Sequence, residues 1–228
     1  MQDGTALRAF VDTEVTKEAA LAAIRGHAAA DTLLQQHGYW EEGKGCAVGC
    51  TLHDFRPGEE SSHALYEPLF GIPEELARLE DNLFEQLPGD RAKTWPVEFI
   101  EAIPVGADLI APVDRFFHWL LSEEGPMAKA ETELAEVKAV HALYGRRISG
   151  DEPAQEEWDA AWSAARDAAR DAARSAARDA AWSAARSAAR SAARDAAWSA
   201  ARDAARDAAY VKIADKLLEL LRASATTE

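Results

Sequence analysis

From Asp159 to Tyr210 the chain repeats one tetrad 13 times, [Asp/Ser]-Ala-Ala-[Arg/Trp/Tyr], with no Gly or Pro. Half of these residues are Ala, the strongest helix former, and Arg ranks close behind, so the segment can only be helical. Asp167 with Arg170 and Asp171 with Arg174 form i,i+3 pairs that add a few tenths of a kcal/mol each. Four residues advance about 400° on a helix of 3.6 residues per turn, so each tetrad position drifts by about 40° per repeat. No face of a straight helix can then stay all-Ala or all-Arg. Trp162, Trp182 and Trp198 lie 20 and 16 residues apart, which puts successive ones on nearly opposite sides of such a rod about 78 Å long. The period predicts a break, a fold-back or strong curvature, with π-type turns or right-handed winding as the other ways to absorb it. It also predicts that most of these tryptophans are buried against other helices or another subunit. Nine Arg against seven Asp make the repeat locally +2, so docking on the acidic remainder of the chain is electrostatically reasonable.

At 228 residues the chain has room for one ordinary domain with an appendage. We expect a helical domain over residues 1–150 and the repeat with a terminal amphipathic helix over residues 151–228. With 25 Lys+Arg against 40 Asp+Glu, the formal charge of −15 argues against nucleic acid and against an anionic membrane surface as partners. The first residues, MQDGTALRAFVDTEV, lack a basic stretch followed by an apolar one, and no apolar run approaches the roughly 20 residues that span a bilayer. The expectation is a cytoplasmic protein in which Cys46 and Cys50 stay reduced.

Upstream of the repeat the apolar spacing predicts an all-α fold. Residues 16–36 carry apolar positions at Ala20, Leu21, Ile24, Ala28 and Leu34 before Gly38. Pro73 opens a second helix that runs to Pro88 and Gly89, where it should stop, and Pro96 opens a short one ending before Pro104. Residues 112–123 and 127–144 read as two more, and residues 145–153 as a loop. Residues 211–221 form an amphipathic stretch that should return to the core. Glu80, Asp81 and Glu85 share one helix and read as its solvated face or as salt-bridge partners. The aromatic residues Trp40, Phe84, Trp95, Phe116, Phe117 and Trp119 read as core.

Chemistry concentrates in residues 39–67, YWEEGKGCAVGCTLHDFRPGEESSHALYE. If a short helix begins at Cys46, then Cys46, Cys50 and His53 lie within about 40° of one face. A cysteine at a helix N-terminus behind glycines has its thiolate favoured by the helix dipole, with Lys44 adding charge. His53, His63 or His27 could supply the base of a Cys–His hydrolase or transferase, so Cys46, His53 and His63 are the catalytic candidates. Cys46, Cys50, His53 and His63 also offer four donors suited to zinc, although Cys-x3-Cys-x2-His is not a familiar finger spacing. His27 and Asp31, four apart on the first helix, could join His53 or Glu80 around a divalent ion. A third possibility is a small-ligand or anion cradle, in which Gly43 and Gly45 free backbone N–H groups and Lys44 supplies charge. The string meets neither the Walker nor the dinucleotide pattern. The remaining alternative is that the glycines make a tight turn and the cysteines pack as small apolar groups.

The strings YWEEGKGCAVGCTLH and HALYEPLFGIPEELARLEDNLFEQLP resemble a family of uncharacterised bacterial and phage proteins that often carry SAAR/SAAW-type tails. The resemblance covers roughly residues 16–112 and, more loosely, the repeat. It implies a phage or mobile-element setting and brings no activity with it. His27, Asp31, Trp40, Lys44, Cys46, Cys50, His53 and His63 are the matching positions of interest. The leading expectation is a non-enzymatic protein that binds a small molecule or a protein partner around the Gly/Cys/His segment, His27, Asp31 and Trp40 included. A Cys–His or metal-dependent hydrolase, and a purely structural protein that forms homo-oligomers through the repeat, are the alternatives.

Overall fold

The computed structural model describes residues 7–58, 61–127, 134–187 and 192–226, with the side chains of residues 173 and 175–202 outside that description. Among the described residues every regular element is helical, and extended pairing is confined to isolated bridges such as that between Leu33 and Gly45. The fold is all-α. No helix among these residues is long and apolar enough to cross a membrane. The chain divides into two compact units, one formed by residues up to Val113 together with those from Tyr210 onward, the other by Asp114–Ala209. A boundary at residue 150 therefore falls inside the second unit.

In the first unit, α1 (Lys17–Ala29) begins where the Thr16 hydroxyl accepts the Ala19 N–H, and buries Ala20 and Ile24. It stops seven residues short of the expected end. The Thr32 N–H and hydroxyl both donate to the His27 carbonyl, at 3.2 and 3.1 Å, and Asp31 takes φ 55°. The chain then pairs with residue 45 instead, the Gly45 N–H donating to Thr32 O at 3.0 Å and the Leu34 N–H to Gly45 O at 2.9 Å. Next come α2 (Ala47–His53), a 3-10 turn (His63–Leu65) and α3 (Tyr66–Phe70). α4 (Glu74–Gln86) follows Pro73 and buries Leu76, Ala77, Glu80, Leu83 and Phe84 as one stripe.

α5 (Gly89–Ala102) starts at Gly89 rather than at Pro96, so Gly89 opens a helix and Pro96 lies inside one. An interior proline costs about 3 kcal/mol through its missing N–H. Trp95, Phe99 and Ile100 are fully buried around it, each contributing about 2 kcal/mol or more, and this offsets the defect. Lys17 Nζ ties α1 to the end of α5 by donating to the carbonyls of Glu101 and Ile103 at 2.9 and 2.6 Å. The end of the chain joins this unit as expected. Ala214, Leu217, Leu218 and Leu221 are buried at helical spacing, Asp215 pairs with Arg91 at 3.0 Å, and the Asp108 N–H donates to Ala225 O.

The second unit takes α6 (Ile110–Leu121) from Asp114 onward, then α7 (Ala135–Ile148) and α8 (Gln155–Ser187). α7 includes the first residues of the expected 145–153 loop, and the part of the expected 127–144 helix over residues 128–133 lies outside the described residues. The core joins Leu121, Val137, Val140, Leu143, Tyr144, Trp158 and Ala165. Asp114 is buried and paired with Arg147, whose guanidinium lies 4.9 Å from the Trp158 ring centre and 5.5 Å from that of Tyr144. Buried charge is tolerated here because it is matched by a fork of donors with aromatic cover.

The repeat contributes to α8 and to α9 (Ala192–Arg222). Whether it folds back between them falls at residues 188–191, outside the described residues, as do the side chains of Trp182 and Trp198. Trp162 departs from the expectation of burial, remaining 37% exposed at the edge of a cavity.

Candidate functional site

The glycines of the 43–49 segment serve close packing. A Cβ on Gly49 would stand 1.4 Å from the Tyr39 carbonyl oxygen and one on Gly45 2.0 Å from it, so the Tyr39 backbone rests directly on both. The backbone donors that an anion would need are engaged elsewhere. The Lys44 N–H donates to Glu41 O at 3.0 Å, the Gly45 N–H to Thr32 O at 3.0 Å and the Cys46 N–H to Gly38 O at 3.2 Å. The expected cradle at Gly43, Lys44 and Gly45 is therefore not formed.

Cys46 does cap α2, its sulfur accepting the Gly49 N–H at 3.5 Å. Burial nevertheless drives the thiol far above its ordinary range, and the neighbouring Asp81 carboxylate raises it further. Cys50 donates to Gly45 O at 3.5 Å, and burial pushes it up to about 11. Desolvation thus overrides the helix dipole, and the activated thiolate expected at Cys46 is opposed by its surroundings. The zinc set does not converge either. Among the described residues no group of three or more His, Cys, Asp or Glu is placed to hold a metal ion.

The histidines sort into two clusters. His53 stacks on Trp40 with ring centres 3.8 Å apart, and His27 meets the same tryptophan edge-on at 5.2 Å. His27 Nδ1 lies 3.0 Å from Thr32 Oγ1, and its Nε2 lies 3.5 Å from Asp54 Oδ1. His27, Trp40 and His53 therefore come together. Asp31 does not join them; it is exposed, paired with Lys93 at 3.0 Å, and held low by that ammonium group. In the other cluster His63 Nε2 contacts Asp81 Oδ2 at 3.0 Å, and Tyr39 Oη lies 3.3 Å from His63 Nδ1. No contact among the described residues joins His53 to Cys46 or His63, so the expected catalytic set is divided.

Glu80 is the residue that sequence reasoning misplaced most. It is fully buried, accepts the Tyr66 hydroxyl at 2.6 Å on Oε2, and leaves Oε1 without a hydrogen-bond partner among the described residues. Burial raises its carboxyl to about 8, against the lowering effect of Tyr66 and with a further rise from Asp81, so it is a neutral acid at pH 7. Asp81 serves the His63 cluster instead. The Glu85 carboxylate accepts the Gln36 N–H at 2.5 Å.

The second unit holds a feature that sequence reasoning did not find, an apolar cavity of about 190 Å³. α6 supplies Phe117, Leu120 and Leu121, the turn after it Met127, and α7 Val137 and Val140. α8 closes it with Trp162, Ala165 and Ala169, and Arg166 is the one charged lining residue among those described. The signal was present in the 3.6-residue stripe Trp158, Ala161, Trp162, Ala165, Ala169, which crosses the tetrad period. No protein-family model matches the chain, and no curated protein or solved structure matches it.

Proposed function

We propose that this is a non-enzymatic small-ligand-binding protein whose ligand occupies the apolar cavity bounded by α6, α7 and α8. The observation that carries the reading is the lining itself: nine apolar residues and one arginine around about 190 Å³. Concave, mostly apolar sites with one or two polar groups are the usual form of small-molecule sites. Apolar cavities of about 150 Å³ stay dry and take up benzene-sized guests, so this one suits a single aryl ring or a short branched alkyl group. The raised thiols of Cys46 and Cys50 and the divided histidines weigh against the hydrolase alternative. A phage or mobile-element accessory role is the setting we infer from the GKGCAVGC string and its SAAR-type tail.

Toluene or another small neutral aryl probe tests the reading in the full chain. A guest bound to the native state raises the melting temperature in proportion to the logarithm of its excess over Kd. We expect that rise in the parent and its loss in Ala169→Leu, which fills the cavity from an exposed helix position. Absence of any probe-dependent rise, or an equal rise in Ala169→Leu, would overturn the assignment.

A further inference from the structure

We infer that the ligand of this cavity is a small amphipathic anion, an aryl or short branched-alkyl monocarboxylate, with its apolar body in the cavity and its carboxylate on Arg166. The inference rests on the cavity being the ligand site and adds the chemical class. Among the described residues, Arg166 is the only charged one of the lining. It stands four residues after Trp162, on the same helical face, and its Nε donates to the Trp162 carbonyl at 3.3 Å. That bond holds the guanidinium beside the cavity and leaves the two Nη groups for a planar, two-oxygen partner.

Arg166 also lacks a neighbouring carboxylate in its own tetrad. Its tetrad reads Ser163-Ala-Ala-Arg166, whereas the next two read Asp167-Ala-Ala-Arg170 and Asp171-Ala-Ala-Arg174. Arg170 and Arg174 each have the Asp three residues back at 3.5 Å. Arg166 has serine there and makes no ion pair among the described residues. Ser-Ala-Ala-Arg tetrads recur elsewhere in the repeat, and what singles out Arg166 is that it also lines the cavity, where a ligand carboxylate is its complement. The cavity volume matches a body of about one ring.

Titration calorimetry on the full chain with phenylacetate and its neutral isostere phenylacetamide tests this. Phenylacetate should bind about fivefold or more tightly, as an exposed to half-buried charge-assisted pair allows. The preference should shrink as salt rises from 50 to 500 mM and vanish in Arg166→Gln, an exposed position where folding is not at stake. Equal affinity for the two probes, or a preference retained in Arg166→Gln, overturns the anion inference while toluene binding still supports the cavity. Failure of both probes and of toluene overturns the two together.

Discussion

Glu80→Gln isolates the effect of one buried carboxyl on the whole first unit. Folded, Glu80 keeps its proton to about pH 8; unfolded, it releases it near the ordinary 4.5. Between those values the unfolded chain binds fewer protons, so stability falls as pH rises, by about 1.4 kcal/mol per pH unit for this group. The stabilisation is complete below 4.5 and has lost about 3 kcal/mol by pH 7. Glutamine cannot ionise and removes that slope. Its amide can still accept from Tyr66, but its N–H donors would meet the place where Oε1 has no partner, a cost of about 1–3 kcal/mol at every pH. The offset between variant and parent is therefore not diagnostic, but its change with pH is. Urea denaturation followed by circular dichroism at pH 5 and pH 7.5 should show the difference in unfolding free energy moving by about 3 kcal/mol in favour of the variant. Tyr66→Phe, which removes the hydrogen bond that lowers Glu80, should leave this slope unchanged and carry it to higher pH. Parallel pH dependence in parent and Glu80→Gln would refute the buried neutral acid.

Gly49→Ala should cost more than about 4 kcal/mol in urea denaturation or yield no folded protein, because its Cβ would stand 1.4 Å from a backbone oxygen. Gly43→Ala, at φ 80° with open space around it, should cost only about 1 kcal/mol; similar costs for the two would contradict the packing role of Gly49. Native Cys50, with its thiol near 11, should label at pH 8 about two hundredfold more slowly than in denaturant, and Cys46 more slowly still. Labelling at the unfolded rate would restore the nucleophile reading. Ser163→Asp rebuilds the Asp-Ala-Ala-Arg tetrad around Arg166 and should weaken phenylacetate binding several-fold without changing that of phenylacetamide; an unchanged acid-to-amide ratio would remove Arg166 as the reader of charge.

The helices were legible because their signals are local. Thr16 caps α1, Pro73 precedes α4, and the stripe from Ala214 to Leu221 is apolar at helical spacing. The glycines were not, since a Gly-x-Gly-x3-Gly string has the same spacing whether it cradles an anion or admits a neighbouring backbone. What decides between them is the Tyr39 carbonyl, placed by pairing of residues 32–34 with 45. Cys46 failed for a related reason: its position at a helix start is local, whereas its burial depends on how α2 packs against α4. Glu80 could have been found. It occupies the centre of the stripe Leu76, Ala77, Leu83, Phe84, and a carboxylate there must be buried if the stripe is.

The tetrad period also explains where the cavity sits. Third-position alanines stay on one face of α8 for only a few repeats, because each tetrad turns them by about 40°. Ala161, Ala165 and Ala169 fall within about 80° of one another and line the contact with α7 and the cavity. Small residues allow close approach at the start of the repeat, and the large residues Trp162 and Arg166, next to those alanines, form the rim. Of the three tetrads whose alanines line this contact, the one that begins with Ser and ends in Arg sets its guanidinium at the cavity without a carboxylate of its own, and that leaves its charge for a ligand.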